Sequence, residues 1–193
     1  MHLSERLVRR LSCTFVCALL TACASTTISI APSPQAPVCD RTATALVLWT
    51  PQWRPNQKDV AEREKAAASG LDSFLAASGC FARSELRRVP DLDPTTVKTQ
   101  AASDTRPHTR VVTIGVRELG PVVKLLSSVA LVEGGTEVVL EISEYAVSAG
   151  TPLRQFTVHW ANGGAGIVKG VASLPSDMQA ALTASLQPGF AQR

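Results

Sequence analysis

The first 23 residues restrict which part of the chain can form a folded domain, because their composition is not that of a globular protein. Residues 1 to 10 contain three arginines, residues 11 to 20 form an apolar run, and small residues lead to Cys23. This order is typical of a secretory signal peptide. The apolar run is about half the ~20 residues that a membrane-spanning helix requires. We therefore expect the folded part of the mature protein to lie after this segment.

The tetrapeptide Leu20-Thr21-Ala22-Cys23 closes the apolar run and resembles the lipobox of bacterial lipoprotein precursors. The resemblance implies removal of residues 1–22 and a mature N-terminus in which Cys23 carries three acyl chains, palmitate among them. Two chains already give stable membrane attachment. Residue 24 is Ala, whereas an Asp at this position would imply retention in the inner membrane. The resemblance therefore implies attachment to the periplasmic face of the cell outer membrane. The alternative is an ordinary secretory signal that happens to contain Cys23.

The segment from residue 24 to residue 38 carries no charge and contains three prolines. Such a composition predicts a flexible tether over residues 23–38, with a root-mean-square span of about 20 Å. The remaining residues, 39–193, are enough for one domain. We therefore expect a single periplasmic domain held close to the membrane by its lipid anchor.

The charge of the chain argues against nucleic acid as a partner. The formal net charge is +3, of which Arg6, Arg9 and Arg10 less Glu5 contribute +2, so +1 remains for the mature part. A nearly neutral domain has no electrostatic attraction for a polyanion, and no basic stripe with interleaved aromatic residues is present.

Cys39 and Cys80 are the two cysteines that follow Cys23. In an oxidising compartment we expect them to form a disulfide. The closed loop of ~42 residues would contribute roughly 4 kcal/mol in the chain-entropy model. The alternatives are two separate buried thiols, or a zinc site with His108 and His159, although this spacing matches no metal motif. We expect no metal and no cofactor.

The first half of the domain predicts a strand, a helix and a second strand. Residues 44–50 form an apolar run typical of a strand buried on both faces. Residues 56–78 have helical periodicity and end at Gly79, with Arg63 among the charges expected on the solvated face. Residues 80–89 read as the next strand. Residues 90–108 predict a mobile loop with one helical turn after Pro94.

The second half is typical of an antiparallel meander followed by a helix. Alternating apolar residues predict strands at 109–117, 136–147, 153–161 and 167–171, separated by breaks at Leu119-Gly120-Pro121, Gly134-Gly135 and Asn162-Gly163-Gly164. Residues 122–132 fit either a strand or a short helix. Ser176 is expected to cap the last helix. The predicted fold is α+β, a mixed and mostly antiparallel sheet with two main helices packed on one face.

Candidate sites are few, and we predict no catalytic residue. There is no Gly-x-Ser-x-Gly elbow and no metalloprotease helix motif. The glycines around Lys169 could suggest a phosphate cradle, but β-type residues follow where a helix should begin, which favours a hairpin. His159 is expected on the sheet surface. Trp49, Pro51 and Trp53 form an aromatic corner that either fills the core or presents a contact patch to a partner.

The domain also loosely resembles small periplasmic lipoproteins of uncharacterised families and of the auxiliary type found with envelope transport systems. The resemblance lies in Leu46-Val47-Leu48, in residues 75–81, and in residues 138–156 with their turn at Gly150. It implies a non-enzymatic accessory or interaction module that contacts an envelope protein. The alternatives are a small-ligand or lipid-binding protein that uses the sheet face and residues 90–108, and a hydrolase.

Overall fold

The computed structural model describes residues 24–103, 106–126, 131–147 and 151–187. The predicted signal peptide, the lipobox and Cys23 lie outside the described residues. Among the described residues, no helix is both long and apolar enough to cross a membrane.

Six strands and three α-helices make up the described domain. The strands are β1 (Ser25–Ala31), β2 (Asp40–Pro51), β3 (Phe81–Arg88), β4 (Arg110–Leu126), β5 (Leu131–Ala146) and β6 (Arg154–Ala165). The helices are α1 (Val60–Ser78), α2 (Pro94–Ser103) and α3 (Leu174–Leu186), the last preceded by a 3-10 turn at Val171–Ser173.

The strands form one mixed sheet in the order β1-β6-β5-β4-β2-β3. The pairs β1/β6, β6/β5 and β5/β4 are antiparallel, whereas β2 runs parallel to both β4 and β3. Helix α1 connects the parallel strands β2 and β3, and α2 connects β3 to β4. The predicted α+β class, with a mixed and mostly antiparallel sheet, is confirmed.

Two apolar clusters cover the two faces of the sheet. On one face α1 and α3 pack against each other and enclose the larger core, which includes Phe74, Leu140 and Met178. On the other face α2 places Val97 in a smaller cluster with Leu46 and Tyr145. The two main helices thus share one face, as predicted.

Strand β2 contributes side chains to both clusters, which confirms the prediction that residues 44–50 are buried on both faces. Ala45, Val47 and Trp49 belong to the larger cluster, while Leu46 and Leu48 belong to the smaller one. Successive side chains of a strand point to opposite faces, so a continuous apolar run suits a strand covered on both sides.

The predicted flexible tether is wrong for residues 25–31, which form β1. This strand pairs antiparallel with β6, and Ile28 lies opposite Trp160. Threonine and isoleucine are frequent in this segment and favour extended backbone, and Pro32 ends the strand. The sheet therefore includes residues 25–31, which lie ahead of the expected boundary at residue 39.

The predicted breaks in the second half are also wrong, because β4, β5 and β6 run through them. Pro121 lies in β4 beyond Val116, where β4 is paired with β5 but no longer with β2. Proline is tolerated on such an edge. Residues 122–126 and 131–132 of the undecided segment are strand, and its residues 127–130 lie outside the described residues.

Gly135 and Gly163 mark a close approach of β5 and β6 rather than turns. A Cβ on Gly163 would lie 2.3 Å from the carbonyl oxygen of Gly134.

The predicted strand at 167–171 is absent. The last helix begins at Leu174 rather than after Ser176, whose hydroxyl donates to the carbonyl of Ser173.

Candidate partner-binding surface

The disulfide between Cys39 and Cys80 is confirmed, with the two Cα atoms 4.5 Å apart. It joins the segment leading into β2 to the start of β3. The amides of Val38 and Cys39 donate to the carbonyl of Leu186, so the same segment is also held by the end of α3. Because both sulfur atoms are in the disulfide, the two alternatives of separate thiols and of a zinc site at these cysteines are excluded. No group of three or more potential metal ligands converges among the described residues.

The aromatic corner does not form one exposed patch, which corrects that interpretation of Trp49, Pro51 and Trp53. Trp49 is 3% exposed and belongs to the core, and the guanidinium carbon of Arg88 lies 5.7 Å from its ring centroid. Pro51 ends β2 and is half-buried. Trp53 is half-buried at the margin of the core and remains beside an open groove.

We call the side of the sheet opposite α1 and α3 the outer face. Helix α2 covers the end of this face near Tyr145 and leaves the rest uncovered. His159 lies there opposite Ser29 and Val139 and is exposed, as expected. Within the expected mobile loop at 90–108, residues 94–103 form α2, a helix longer than the single turn predicted, and residues 104–105 lie outside the described residues.

The first opening on the outer face, the edge groove, has a volume of about 450 Å³. It forms where β4 continues past the end of β2, after the pairing of β4 and β5 shifts between Val116 and Glu118. Its wall consists of both charged and apolar residues: Gln52, Trp53, Arg54, Pro55, Arg117, Glu118, Glu137 and Val139.

A buried ion pair fixes the wall of the edge groove. Nη1 of Arg63 donates to Oε1 of Glu118 at 2.9 Å and to the carbonyl of Leu119 at 2.6 Å. Arg54 also pairs with Glu118. Arg63 was expected on a solvated helix face, but it is buried because it reaches past the end of β2 to β4. The helical periodicity of the sequence did not predict this contact between Arg63 and Glu118.

The second opening, the glycine trough, is a shallow depression of about 210 Å³ across β1, β6, β5 and β4. Ser25, Gly163, Gly135 and Val122 are paired in one row of its floor. Missing side chains at the glycines produce the depression. Glu137 lines both openings, so the trough and the edge groove form one continuous surface.

Lys169 takes part in a buried polar cluster on the opposite face of the sheet. Its Nζ donates to Asp177 at 2.6 Å, and the hydroxyl of Thr136 donates to the other carboxylate oxygen at 2.6 Å. The Lys169 charge is therefore neutralised within the fold. This arrangement does not fit a phosphate cradle.

In the part of the chain that the structure describes, two carboxyls have perturbed pKa values, and both lie outside the two openings. The hydroxyl of Thr42 donates to Asp40 and lowers the pKa of that carboxyl, with smaller contributions from the Thr42 amide and Arg110. The hydroxyl and amide of Thr96 lower the pKa of Asp93 at the start of α2. Both shifts follow from hydrogen bonds that stabilise the ionised form.

The continuous outer surface has features that suit recognition of a polypeptide. It offers backbone exposed at glycines, an aromatic side chain and charges of both signs within one open surface. The indole Nε1 of Trp53 is buried and has no acceptor among the described residues.

No family model and no curated protein matches the chain. Among solved structures it is similar to the PelC dodecamer from Paraburkholderia phytofirmans, at 15% identity and TM-score 0.47, covering 82% of this chain and 96% of that one. It is also similar to lipoprotein GNA1162 from Neisseria meningitidis, at 13% identity and TM-score 0.44, covering 79% and 100%. Protein XCC0632 from Xanthomonas campestris aligns at 13% identity and TM-score 0.40, covering 84% and 88%. These values assign no function to the chain.

Proposed function

We propose that the chain is a lipid-anchored lipoprotein of the bacterial envelope, attached through Cys23 to the periplasmic face of the outer membrane. In this proposal it acts as a non-enzymatic module that binds an envelope protein. The observation that carries the proposal is the Cys39–Cys80 disulfide, which follows a signal-peptide pattern ending in a cysteine. Disulfides persist in the compartments to which such signals direct a protein.

The outer face is the surface proposed to bind the partner. It combines the edge groove and the glycine trough, and its rim carries Arg117 and Glu141, which pair with each other. Mixed charges at a rim give orientation and specificity, while an aromatic side chain in the groove supplies contact energy.

The anchor is tested by labelling cells with radioactive palmitate. The wild-type chain should incorporate the label, and Cys23→Ala should not, because its thiol is the proposed acylation site. Cys13→Ala is the matched control, since it removes a cysteine of the apolar run without touching the lipobox. An unlabelled, freely soluble wild-type product would refute the anchor.

The partner surface is tested by placing a photo-crosslinking amino acid at single positions in intact cells. A crosslinker at Glu137, which lines both openings, should give one reproducible adduct with an envelope protein. Glu62 on the exposed side of α1 is the matched control and should give none. Equal adducts at both positions, or none at Glu137, would contradict this surface.

A further inference from the structure

The β4–β5 hairpin extends beyond the rest of the sheet. The last pair between β5 and β6 joins Glu133 to Ala165. Past this point β4 and β5 continue as a ribbon of two strands, with Leu125 opposite Val132 and Leu126 opposite Leu131. A ribbon of two strands has too little neighbouring structure to bury apolar residues by itself.

The residues at this end of the sheet are strongly apolar. The two outermost described pairs consist only of leucine and valine. Val123, just below them, is 64% exposed, and Val168 is 88% exposed. Val168 lies at the same end, because its Cα is 3.7 Å from the position that a Cβ on Gly134 would take. Apolar residues from two separate segments therefore meet at one exposed end.

The strand register places the proposed anchor at this same end. Ser25 pairs with Gly163, Gly163 pairs with Gly135, and Gly135 pairs with Val122. Ser25 and Val122 thus lie in one row, about 14 Å apart across three strand spacings. Cys23 precedes Ser25 by two positions, so the first residue of β1 stays within about 7 Å of the proposed acylation site.

We propose that residues 122–126 and 131–133 of the hairpin, together with Val168, insert into the bilayer that holds Cys23. This inference rests on the proposed lipid anchor. From the row of Ser25 the hairpin extends about 13 Å to Leu126, farther than the two residues before Ser25 can reach. Its outer end therefore enters the membrane to roughly the depth of 5–10 Å at which interfacial segments bury apolar residues. Lys124 and Glu133, which have opposite formal charges, occupy paired positions in the two strands.

The test measures contact with acyl chains at two ends of the sheet. Lipidated protein purified from membranes is reconstituted in phosphatidylethanolamine and phosphatidylglycerol vesicles with brominated acyl chains. A fluorophore is attached to Val123→Cys, to Val168→Cys, or to Leu153→Cys as the control. Leu153 is 60% exposed, comparable to Val123, but it lies at the opposite end of the sheet, roughly 30 Å away along β6.

Brominated lipid should quench the fluorophore at 123 and at 168 several-fold more than at 153. Quenching at none of the positions would overturn the proposal, as would equal quenching at all three. Flotation of the same samples with the vesicles separates the two proposals: protein that floats without quenching at 123 retains the anchor and refutes the insertion. Protein that does not float refutes the anchor itself. Contact of residue 123 with a second copy, seen as unquenched but crosslinkable dimers, would also overturn the insertion.

Discussion

Gly120 leaves room for the buried guanidinium of Arg63. A Cβ at position 120 would lie 1.7 Å from Nη1 of Arg63. In Gly120→Ala the arginine must therefore move away from Glu118, and a buried carboxylate loses a partner. Overpacking and a broken buried ion pair each cost a few kcal/mol, so we expect a loss of about 3 kcal/mol in the free energy of unfolding. Urea unfolding of the mature protein measures it.

Gly170→Ala is the matched control for Gly120→Ala. A Cβ on Gly170 would meet nothing within 4 Å, and its φ of −124° is accessible to alanine. We expect its free energy of unfolding to stay within about 0.5 kcal/mol of wild type. Equal stability of the two variants would show that Arg63 is not held where the structure places it.

Thr96 controls the ionisation of Asp93 at the start of α2. Its hydroxyl makes the largest contribution to the lowered pKa of Asp93, followed by its amide. In Thr96→Val we expect the pKa of Asp93 to rise towards its ordinary value, because the hydroxyl no longer stabilises the carboxylate. Carboxyl NMR titration measures the shift, with Thr99→Val, on the exposed side of the same helix, as the control. An unchanged midpoint in Thr96→Val would contradict the contact.

The same contact determines the sign of a pH effect on stability. A pKa lower in the folded state than in the unfolded state stabilises the fold above the unfolded value, about 3.9 for Asp. That contribution is lost as the pH falls through the folded pKa. In Thr96→Val the two pKa values come closer, so the stability of the variant should depend less on pH in this acidic range.

At the level of elements, the disulfide connects two strand starts across the whole of α1. Cys39 and Cys80 are separated by 41 positions. Removing the cross-link in Cys39→Ala/Cys80→Ala releases the unfolded chain and should cost roughly 4 kcal/mol in the free energy of unfolding. Urea unfolding with and without dithiothreitol measures it: reductant should lower the wild-type midpoint and leave that of the double variant unchanged. Alkylation of both cysteines without reductant would refute the prediction.

Elements with a local cause were predictable from the sequence. The continuous apolar run of β2 indicated burial on both faces, and Gly79, at φ +57°, ends α1 in the left-handed conformation that favours glycine. The Cys39–Cys80 pairing followed from having two cysteines after Cys23. In each case the residues that determine the structure are neighbours in sequence or have no competing partner.

Elements whose cause is a distant contact were not predictable in the same way. Gly135 and Gly163 are glycines because β5 and β6 approach closely, yet glycine pairs are also typical of turns. β1 is a strand because β6 offers it an edge, although its uncharged sequence followed by prolines is also typical of a tether. The candidate surface depends on the same contacts, and of its residues the sequence singled out Trp53, as part of a contact patch, and His159, as a residue of the sheet surface.

At the level of the whole molecule, residues 25–31 form β1 where a flexible tether was predicted, and this changes how the proposed anchor would connect the domain to the membrane. With only Ala24 between Cys23 and β1, the proposed anchor is attached almost directly to an edge strand of the sheet. A coil of fifteen residues would instead let the domain move over about 20 Å. The orientation of the outer face relative to the bilayer should therefore be restricted.

This restriction is measurable as a distribution of distances. A donor at Leu153→Cys lies roughly 30 Å along β6 from the row of Ser25. In the lipidated protein on vesicles, time-resolved energy transfer to a headgroup dye should give a narrow distribution. Insertion of fifteen Gly/Ser residues between Ala24 and Ser25 should broaden it by about 20 Å, because the added coil frees the domain. Equally broad distributions in both proteins would mean that β1 does not hold the anchored domain in a fixed orientation.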